Sequence, residues 1–188
     1  MKPDYWQWPN YLNQEKIKGI NKIVSSSSFQ NEPRKLVATT MDDRSKKFLK
    51  TKLIPLGTIN KFFPDLWGKI AVTNLEHFGY DILPLDPMID SVHYNLYSSK
   101  TKDRYDWHID GTTRPLVDLK FTVLINISDQ SYRGGDFKLF NNNEYKVPEL
   151  SMPGNMIMFK AFLNHKVEKV TAGERKTLTL FIKGPSFK

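Results

Sequence analysis

The sequence predicts an α+β chain, with helices in front and short strands behind. Three observations carry this. Ile17, Ile20, Ile23 and Val24 recur at the spacing of one helix face. From Asp90 onward the apolar residues alternate instead, as in Val92, Tyr94 and Leu96 and again in Phe121, Val123, Ile125 and Ile127. Turn-forming clusters punctuate that second half: Ser98-Ser99-Lys100, Gly134-Gly135, Asn141-Asn142-Asn143, Pro153-Gly154 and Ala172-Gly173.

The first helix is expected over 13–28, with Asn13 as its N-cap and the serines from Ser25 to Ser28 ending it. Residues 29–56 are polar and basic, with one strand-like piece at Leu36-Val37-Ala38-Thr39. Pro64-Asp65 opens a second helix whose stripe is Leu66, Trp67, Ile70, Ala71, Asn74, Leu75 and Phe78, with Gly79 as the stop. Such an aromatic stripe could line a ligand groove, but packing against a sheet is the simpler reading. Strands follow at 91–98, 105–109, 119–127, 135–140, 145–150, 155–159, 165–170 and 176–183. Short strands at this spacing indicate a jelly roll or barrel. Without a repeat or linker, residues 1–188 read as one domain, a helical support region over 1–89 and a jelly-roll core over 90–184.

Hydrophobic residues at 39% and aromatics at 13% are enough to build a core. No apolar run is long enough to span a membrane. Met1-Lys2-Pro3-Asp4-Tyr5-Trp6 has no apolar signal core, so the expectation is a cytoplasmic protein without a secretory leader. The absence of cysteine excludes disulfides, Fe–S clusters and thiol nucleophiles. A net charge of +8 raises nucleic acid or acidic proteins as partners, against a plain Lys-rich surface. The densest basic piece, Arg44-Ser45-Lys46-Lys47, reads as a solvated face.

The chemistry concentrates at His108-Ile109-Asp110. Residues i and i+2 of a strand point the same way, so His108 and Asp110 aim together into the barrel. The second and seventh strands of a jelly roll are neighbours, and His165 begins the seventh. Two imidazoles and one carboxylate on one face of an octahedral ion leave positions open for an organic acid and O2, which suits Fe(II). Of the other histidines, His77 lies near a helix end, and His93, alternating with Tyr94, is expected to face away from the pocket. Arg175 starts the last strand, and its guanidinium can hold a carboxylate through two parallel hydrogen bonds. Thr177 and Thr179 share its strand face and could add a hydroxyl donor. The plain alternatives are a surface His–Asp pair and an ordinary Arg near a turn.

Taken in order, these residues resemble the Fe(II)/2-oxoglutarate dioxygenase superfamily, within it the prolyl 4-hydroxylase-like group. The resemblance covers about 90–184 through Tyr97, Tyr105-Asp106-Trp107-His108-Ile109-Asp110, Thr122-Val123-Leu124-Ile125-Asn126, Tyr132-Arg133-Gly134-Gly135-Asp136-Phe137, Pro153-Gly154-Asn155, His165-Lys166-Val167 and Gly173-Glu174-Arg175. It implies a double-stranded β-helix fold, His108, Asp110 and His165 as iron ligands, Arg175 as partner of the remote carboxylate of 2-oxoglutarate, and Tyr97 near that cosubstrate. It implies hydroxylation of a C–H bond with O2, above all on a prolyl residue in a peptide or protein, with release of succinate and CO2 and with ascorbate as a candidate reductant. Some relatives carry a tyrosine where Leu124 falls; Thr177 or Thr179 is then the candidate replacement donor. The loop Ser98-Ser99-Lys100 stands where the group usually has a glycine, which leaves the substrate open. A free amino acid is an alternative substrate. Nucleic acid is less favoured, because Arg175-Lys176-Thr177-Leu178-Thr179 lacks the further Arg and Asn residues of the nucleic-acid demethylases. A non-catalytic jelly-roll binding module is the reading from another class.

Overall fold

The computed structural model describes residues 3–26, 47–110 and 117–186. In chain order the first strands and helices are β1 (Tyr5–Trp8), α1 (Gln14–Ser25), β2 (Lys47–Phe48), β3 (Lys50–Pro55), α2 (Leu56–Ile59), α3 (Leu66–Thr73), β4 (Ser91–Ser98) and β5 (Arg104–His108). They are followed by β6 (Val117–Asn126), β7 (Arg133–Gly134), β8 (Phe137–Asn141), β9 (Asn143–Lys146), β10 (Met156–Lys160), β11 (Asn164–Val167), β12 (Val170–Ala172) and β13 (Glu174–Pro185). Two antiparallel sheets dominate. The major sheet runs β1-β10-β6-β13-β4-β3 and the minor sheet β2-β5-β11-β8-β9, with β12-β7 as a small third sheet. This is the expected jelly roll, a double-stranded β-helix supported by N-terminal helices.

Strand alternation divides the major sheet into two unlike faces. Phe121, Val123 and Ile125 of β6, Met156 and Met158 of β10, and Leu178, Leu180 and Ile182 of β13 form one core with Ile17, Ile20, Val24, Leu66, Ile70 and Phe78 from the helical side. The opposite face looks into the barrel, where Tyr97, Leu124, Ile157 and Phe159 meet Phe137, Leu139 and Val167 of the minor sheet. That second face also carries buried polar residues: Asn95, Thr122, Asn126, Arg175, Thr177 and Thr179. The sequence thus spends its apolar residues on the helix-covered side and reserves polar ones for the barrel interior.

Helix α1 starts where expected, with the Asn13 side chain accepting from the Lys16 N–H at 2.9 Å. It docks through apolar residues and through buried Asn21, whose Nδ2 donates to the carbonyls of Ile17 and Ile127. The second expected helix is corrected in one respect. Helix α3 ends at Thr73, and the chain continues through a π turn, Asn74–Phe78, to left-handed Gly79. The wider turn shifts the stripe, so Thr73, Asn74 and Phe78 are buried while Leu75 is 81% exposed.

Other expectations also change. The strand expected at 165–170 divides into β11 and β12, and the one at 145–150 shortens because Pro148–Ser151 forms a 3-10 turn. Strands β1 and β3 were not foreseen. The strand-like piece at Leu36-Val37-Ala38-Thr39 lies outside the described residues. His93 does not face away from the barrel. It shares a strand face with Asn95 and Tyr97, since its neighbours Val92 and Tyr94 supply the other core, and its ring packs edge-on against Phe181 at 5.3 Å. Among the described residues no helix is long and apolar enough to cross a membrane.

Candidate active site

Antiparallel pairing of β11 with β5 sets His165 directly opposite His108. The ladder slips between these residues and the next pair, Val167 with Tyr105. Such a bulge reorients a strand locally. Here it turns the Tyr105 ring onto that of His108, stacked at 3.4 Å and 15°. Asp110 lies just past the end of β5. Its backbone N–H reaches the Ala161 carbonyl at 3.1 Å, and Thr122 Oγ1 donates to its Oδ2 at 2.8 Å.

These constraints bring His108, Asp110 and His165 together, one potential ligand atom from each lying within 4.8 Å of the others. His165 Nε2 is 3.3 Å from Asp110 Oδ2, and His108 Nε2 is 3.7 Å from Asp110 Oδ1. The other ring nitrogens are committed: His108 Nδ1 lies 2.7 Å from the Asp106 carbonyl and His165 Nδ1 3.0 Å from the Leu163 carbonyl. A carbonyl only accepts, so both rings carry hydrogen on Nδ1 and can offer the Nε2 lone pair to a shared cation. Burial pushes the Asp110 carboxyl upward, but the adjacent His165, His108 and the Thr122 hydrogen bond outweigh it and hold the group at about 2. Phe159 and Phe137 flank the His165 ring at 4.8 and 5.7 Å, forming an apolar wall.

The second half of the site is Arg175, opposite Tyr97 in the pairing of β13 with β4. The side chain is 1% exposed, yet its Nε and Nη2 have no hydrogen-bond partner among the described residues. The guanidinium carbon stands 5.3 Å from the Tyr97 ring centroid. Burial chiefly pushes the Tyr97 hydroxyl up to about 12, Arg175 opposing it and Asp110 and Asp103 adding to it, so the phenol stays a neutral donor. The arginine stem runs under Gly135, where a Cβ would sit 2.8 Å from Arg175 Cδ; the glycine has a φ of +69°. A buried cation without a partner is costly, so the arrangement is suited to an entering anion.

The remaining predicted residues fall nearby or elsewhere. Thr177 and Thr179 are buried on the strand face of Arg175, and Leu124 is buried opposite Thr179. The Ser98 loop closes as a 3-10 turn, Ser99–Thr101, tied by Asp103 Oδ2, which accepts from the Ser98 N–H at 2.9 Å. His77 is stacked on Trp6 at 3.9 Å and takes no part in the cluster. Sequence reasoning missed Thr122, Tyr105, Gly135 and the two carbonyl acceptors. Thr122 carried a signal, since its parity on β6 puts it on the barrel face with Leu124.

Comparisons with known proteins agree with this geometry. Residues 92–183 match the family model described as the 2OG-Fe(II) oxygenase superfamily. No curated protein matches the chain significantly. Among solved structures, a Pseudomonas putida prolyl-4-hydroxylase is similar with a TM-score of 0.68 at 13% identity, covering 97% of this chain and 94% of that one. The viral collagen prolyl hydroxylase of Paramecium Bursaria Chlorella virus-1, solved with 2OG, gives 0.66 at 14% identity, with 97% of each chain covered. A Trichoplax adhaerens prolyl hydroxylase, in complex with a peptide fragment of the hypoxia inducible factor oxygen degradation domain, gives 0.69 at 18% identity, covering 95% and 83%. At these identities the structural likeness speaks to the fold.

Proposed function

We propose that this chain, whose residues 92–183 match the 2OG-Fe(II) oxygenase superfamily, is a dioxygenase of that superfamily hydroxylating a C–H bond. The observation that carries the reading is the buried Nε and Nη2 of Arg175, which have no hydrogen-bond partner among the described residues, in the same barrel as the His108, Asp110 and His165 cluster. The donor set fits Fe(II), and the orphaned Nε and Nη2 of Arg175 fit the far carboxylate of 2-oxoglutarate. When bound, iron and 2-oxoglutarate supply the oxidising chemistry, one atom of O2 leaving in succinate alongside CO2 and the other entering the substrate.

The chain's own residues then have separable tasks. His108 and His165 present Nε2 because the Asp106 and Leu163 carbonyls hold their Nδ1 hydrogens. Thr122 keeps the Asp110 carboxylate turned toward them. Arg175 orients the cosubstrate from its far end, with Tyr97 beside it as a neutral hydroxyl. Phe137 and Phe159 keep bulk water from the His165 side.

For the substrate we propose a prolyl residue in a peptide or protein. Support comes from prolyl hydroxylases that share the fold, one of them bound to a peptide. Residues 1–188 act as one domain in this reading, with ascorbate as reductant. The test is succinate release with Fe(II), 2-oxoglutarate and ascorbate over a panel of proline-containing peptides, free amino acids and oligonucleotides, scored by mass gain of one oxygen. A purified protein that bound neither iron nor 2-oxoglutarate would sink the proposal; oxidation confined to amino acids or oligonucleotides would overturn only its substrate.

A further inference from the structure

The positive charge of the chain is not spread evenly. Residues 16–26 and 47–64 hold seven lysines and no acidic residue, against a net charge of +8 for the whole sequence. The fold gathers five of these lysines on the helical side of the major sheet, away from the barrel. Helix α1 buries Ile17, Ile20 and Val24 in the helical-side core and leaves Lys18 and Lys22 exposed. On β3, Lys50 and Lys52 share strand parity with Ile54 of the same core, and Lys52 Nζ donates to the Val24 carbonyl at 3.0 Å. Lys61 is exposed on the 3-10 turn Asn60–Phe62, and the Phe62 ring lies so close to α1 that a Cβ on Gly19 would stand 2.8 Å from it. Most lysines elsewhere lie against a carboxylate, as Lys138, Lys160 and Lys176 do. Among the described residues none of these five does.

Beside the lysines stands an apolar tip. Met88 and Ile89 are 91% and 78% exposed. Their loop is closed on itself: the Met88 N–H donates to Asp86 Oδ1 at 2.8 Å, the Asp90 N–H to the Asp86 carbonyl at 2.7 Å, and the Asp86 N–H to Asp90 Oδ2 at 2.8 Å. Asp90 also pairs with Lys183 at 2.8 Å, so the two carboxylates of the loop already have partners. The loop is fastened to α2, where the N–H groups of Leu56 and Gly57 donate to the Asp90 and Pro87 carbonyls, each at 2.9 Å. We propose that this helical side docks on an anionic lipid surface, the lysines meeting head groups while Met88 and Ile89 enter the interface.

Three features select that partner. The basic residues of these stretches are all Lys, a hydrated point charge, whereas directed recognition of single carboxylates or phosphates favours the fork of Arg. Lys is also depleted from protein–protein interfaces. A surface for single-stranded nucleic acid would add aromatic platforms for bases; here Phe62 is half-buried, and the exposed apolar tip is aliphatic. A lipid surface uses both parts, drawing the basic patch to its head groups and taking the tip out of water. The apolar face of α1 is committed to the core, so that helix contributes charge alone. The surface lies across the major sheet from the barrel, so a docked molecule keeps the candidate active site free.

The test is co-sedimentation of the full chain with vesicles of phosphatidylcholine alone and of an equal mixture of phosphatidylcholine and phosphatidylserine. Wild type is expected to bind the mixed vesicles, less so as salt is raised, and to leave phosphatidylcholine alone. The triple variant Lys18→Glu, Lys22→Glu, Lys61→Glu should lose at least about a hundredfold in partition coefficient, at roughly fivefold for each lysine. The pair Met88→Ser with Ile89→Ser should lose roughly tenfold while keeping the salt dependence. Lys100→Glu, Lys102→Glu and Lys169→Glu together make the same change of net charge outside the helical side and should retain most of the binding. Circular dichroism and Tm should match wild type in all three, since every replaced side chain is exposed. The wild-type comparison of the two vesicles needs no variant, so the proposal stays falsifiable if one fails to fold. Equal binding to both vesicles, no effect of the serine pair, or an equal loss in the outlying triple variant would each overturn it. Tighter binding to a mixed-sequence DNA duplex than to mixed vesicles of the same anionic charge would overturn it in favour of nucleic acid.

Discussion

At the scale of residues, the cluster depends on three side chains acting as a set. His108→Ala or Asp110→Ala is expected to abolish succinate release while leaving the circular dichroism spectrum intact, because each removes a donor but little packing. Retained turnover in the double variant of His108 and His165 would exclude both histidines from the chemistry. Gly135→Ala tests the other half. Its new Cβ would meet Arg175 Cδ at 2.8 Å and Val170 Cγ2 at 3.1 Å, on a backbone at φ +69°. The expected result is a loss of about 1–3 kcal/mol in denaturant unfolding together with weakened 2-oxoglutarate binding; full affinity would show that the arginine does not rely on that gap. His108 and Asp110 were legible in the sequence because strand parity and side-chain chemistry are both local properties, whereas His165 needed the adjacency of the second and seventh strands and Arg175 the family resemblance. Tyr105 was not, since its inward turn follows from a bulge set by the partner strand. The partners of the imidazole Nδ1 atoms were hidden for another reason: they are main-chain carbonyls, which every residue possesses.

At the scale of elements, helix α1 could be read from its period and cap, whereas the outer strands could not. β1 is half-buried and rich in aromatics without alternation, and β3 buries only Ile54 among lysines and other polar neighbours. What secures β1 is a polar clamp at its edge. Asp4 accepts from Asn141 Nδ2 at 3.0 and 2.9 Å and from the Tyr145 hydroxyl at 3.0 Å, and pairs with Lys160 at 3.4 Å. It thereby joins the end of the major sheet to β8 and β9 of the minor sheet. Burial raises the Asp4 carboxyl, but Asn141, Tyr145 and Lys160 outweigh it and leave it below its usual 3.8. A lowered folded value means the clamp stabilises fully above the unfolded value and fades as pH falls through the folded one. Asp4→Ala should therefore cost about 1–2 kcal/mol at pH 7 in urea unfolding. Its deficit relative to wild type should shrink on acidification below about pH 4. A deficit independent of pH would mean that the aspartate acts through packing rather than charge.

For the whole molecule, stability and function meet at Arg175. Two cores enclose a barrel whose interior carries a buried cation with two nitrogens, Nε and Nη2, that no hydrogen-bond partner among the described residues satisfies. Removing an uncompensated buried charge in favour of an apolar side chain of similar length is often neutral or stabilising. Arg175→Met should thus melt no lower than wild type when both are free of ligand. The order should reverse once Mn(II) and 2-oxoglutarate are present. A ligand at a hundred times its Kd adds about 2.7 kcal/mol to the folded state, which for a domain of this size corresponds to a rise of roughly 5–10 °C in Tm. Wild type should show that rise, and Arg175→Met should show only the part due to the metal. The comparison separates two uses of one residue. If Arg175 were a structural group, its loss would lower the ligand-free Tm and leave the ligand-induced rise intact. If the barrel is built around an incoming dicarboxylate, the ligand-free proteins will match and only the wild type will gain, because the free energy withheld from the empty fold is recovered when the anion enters.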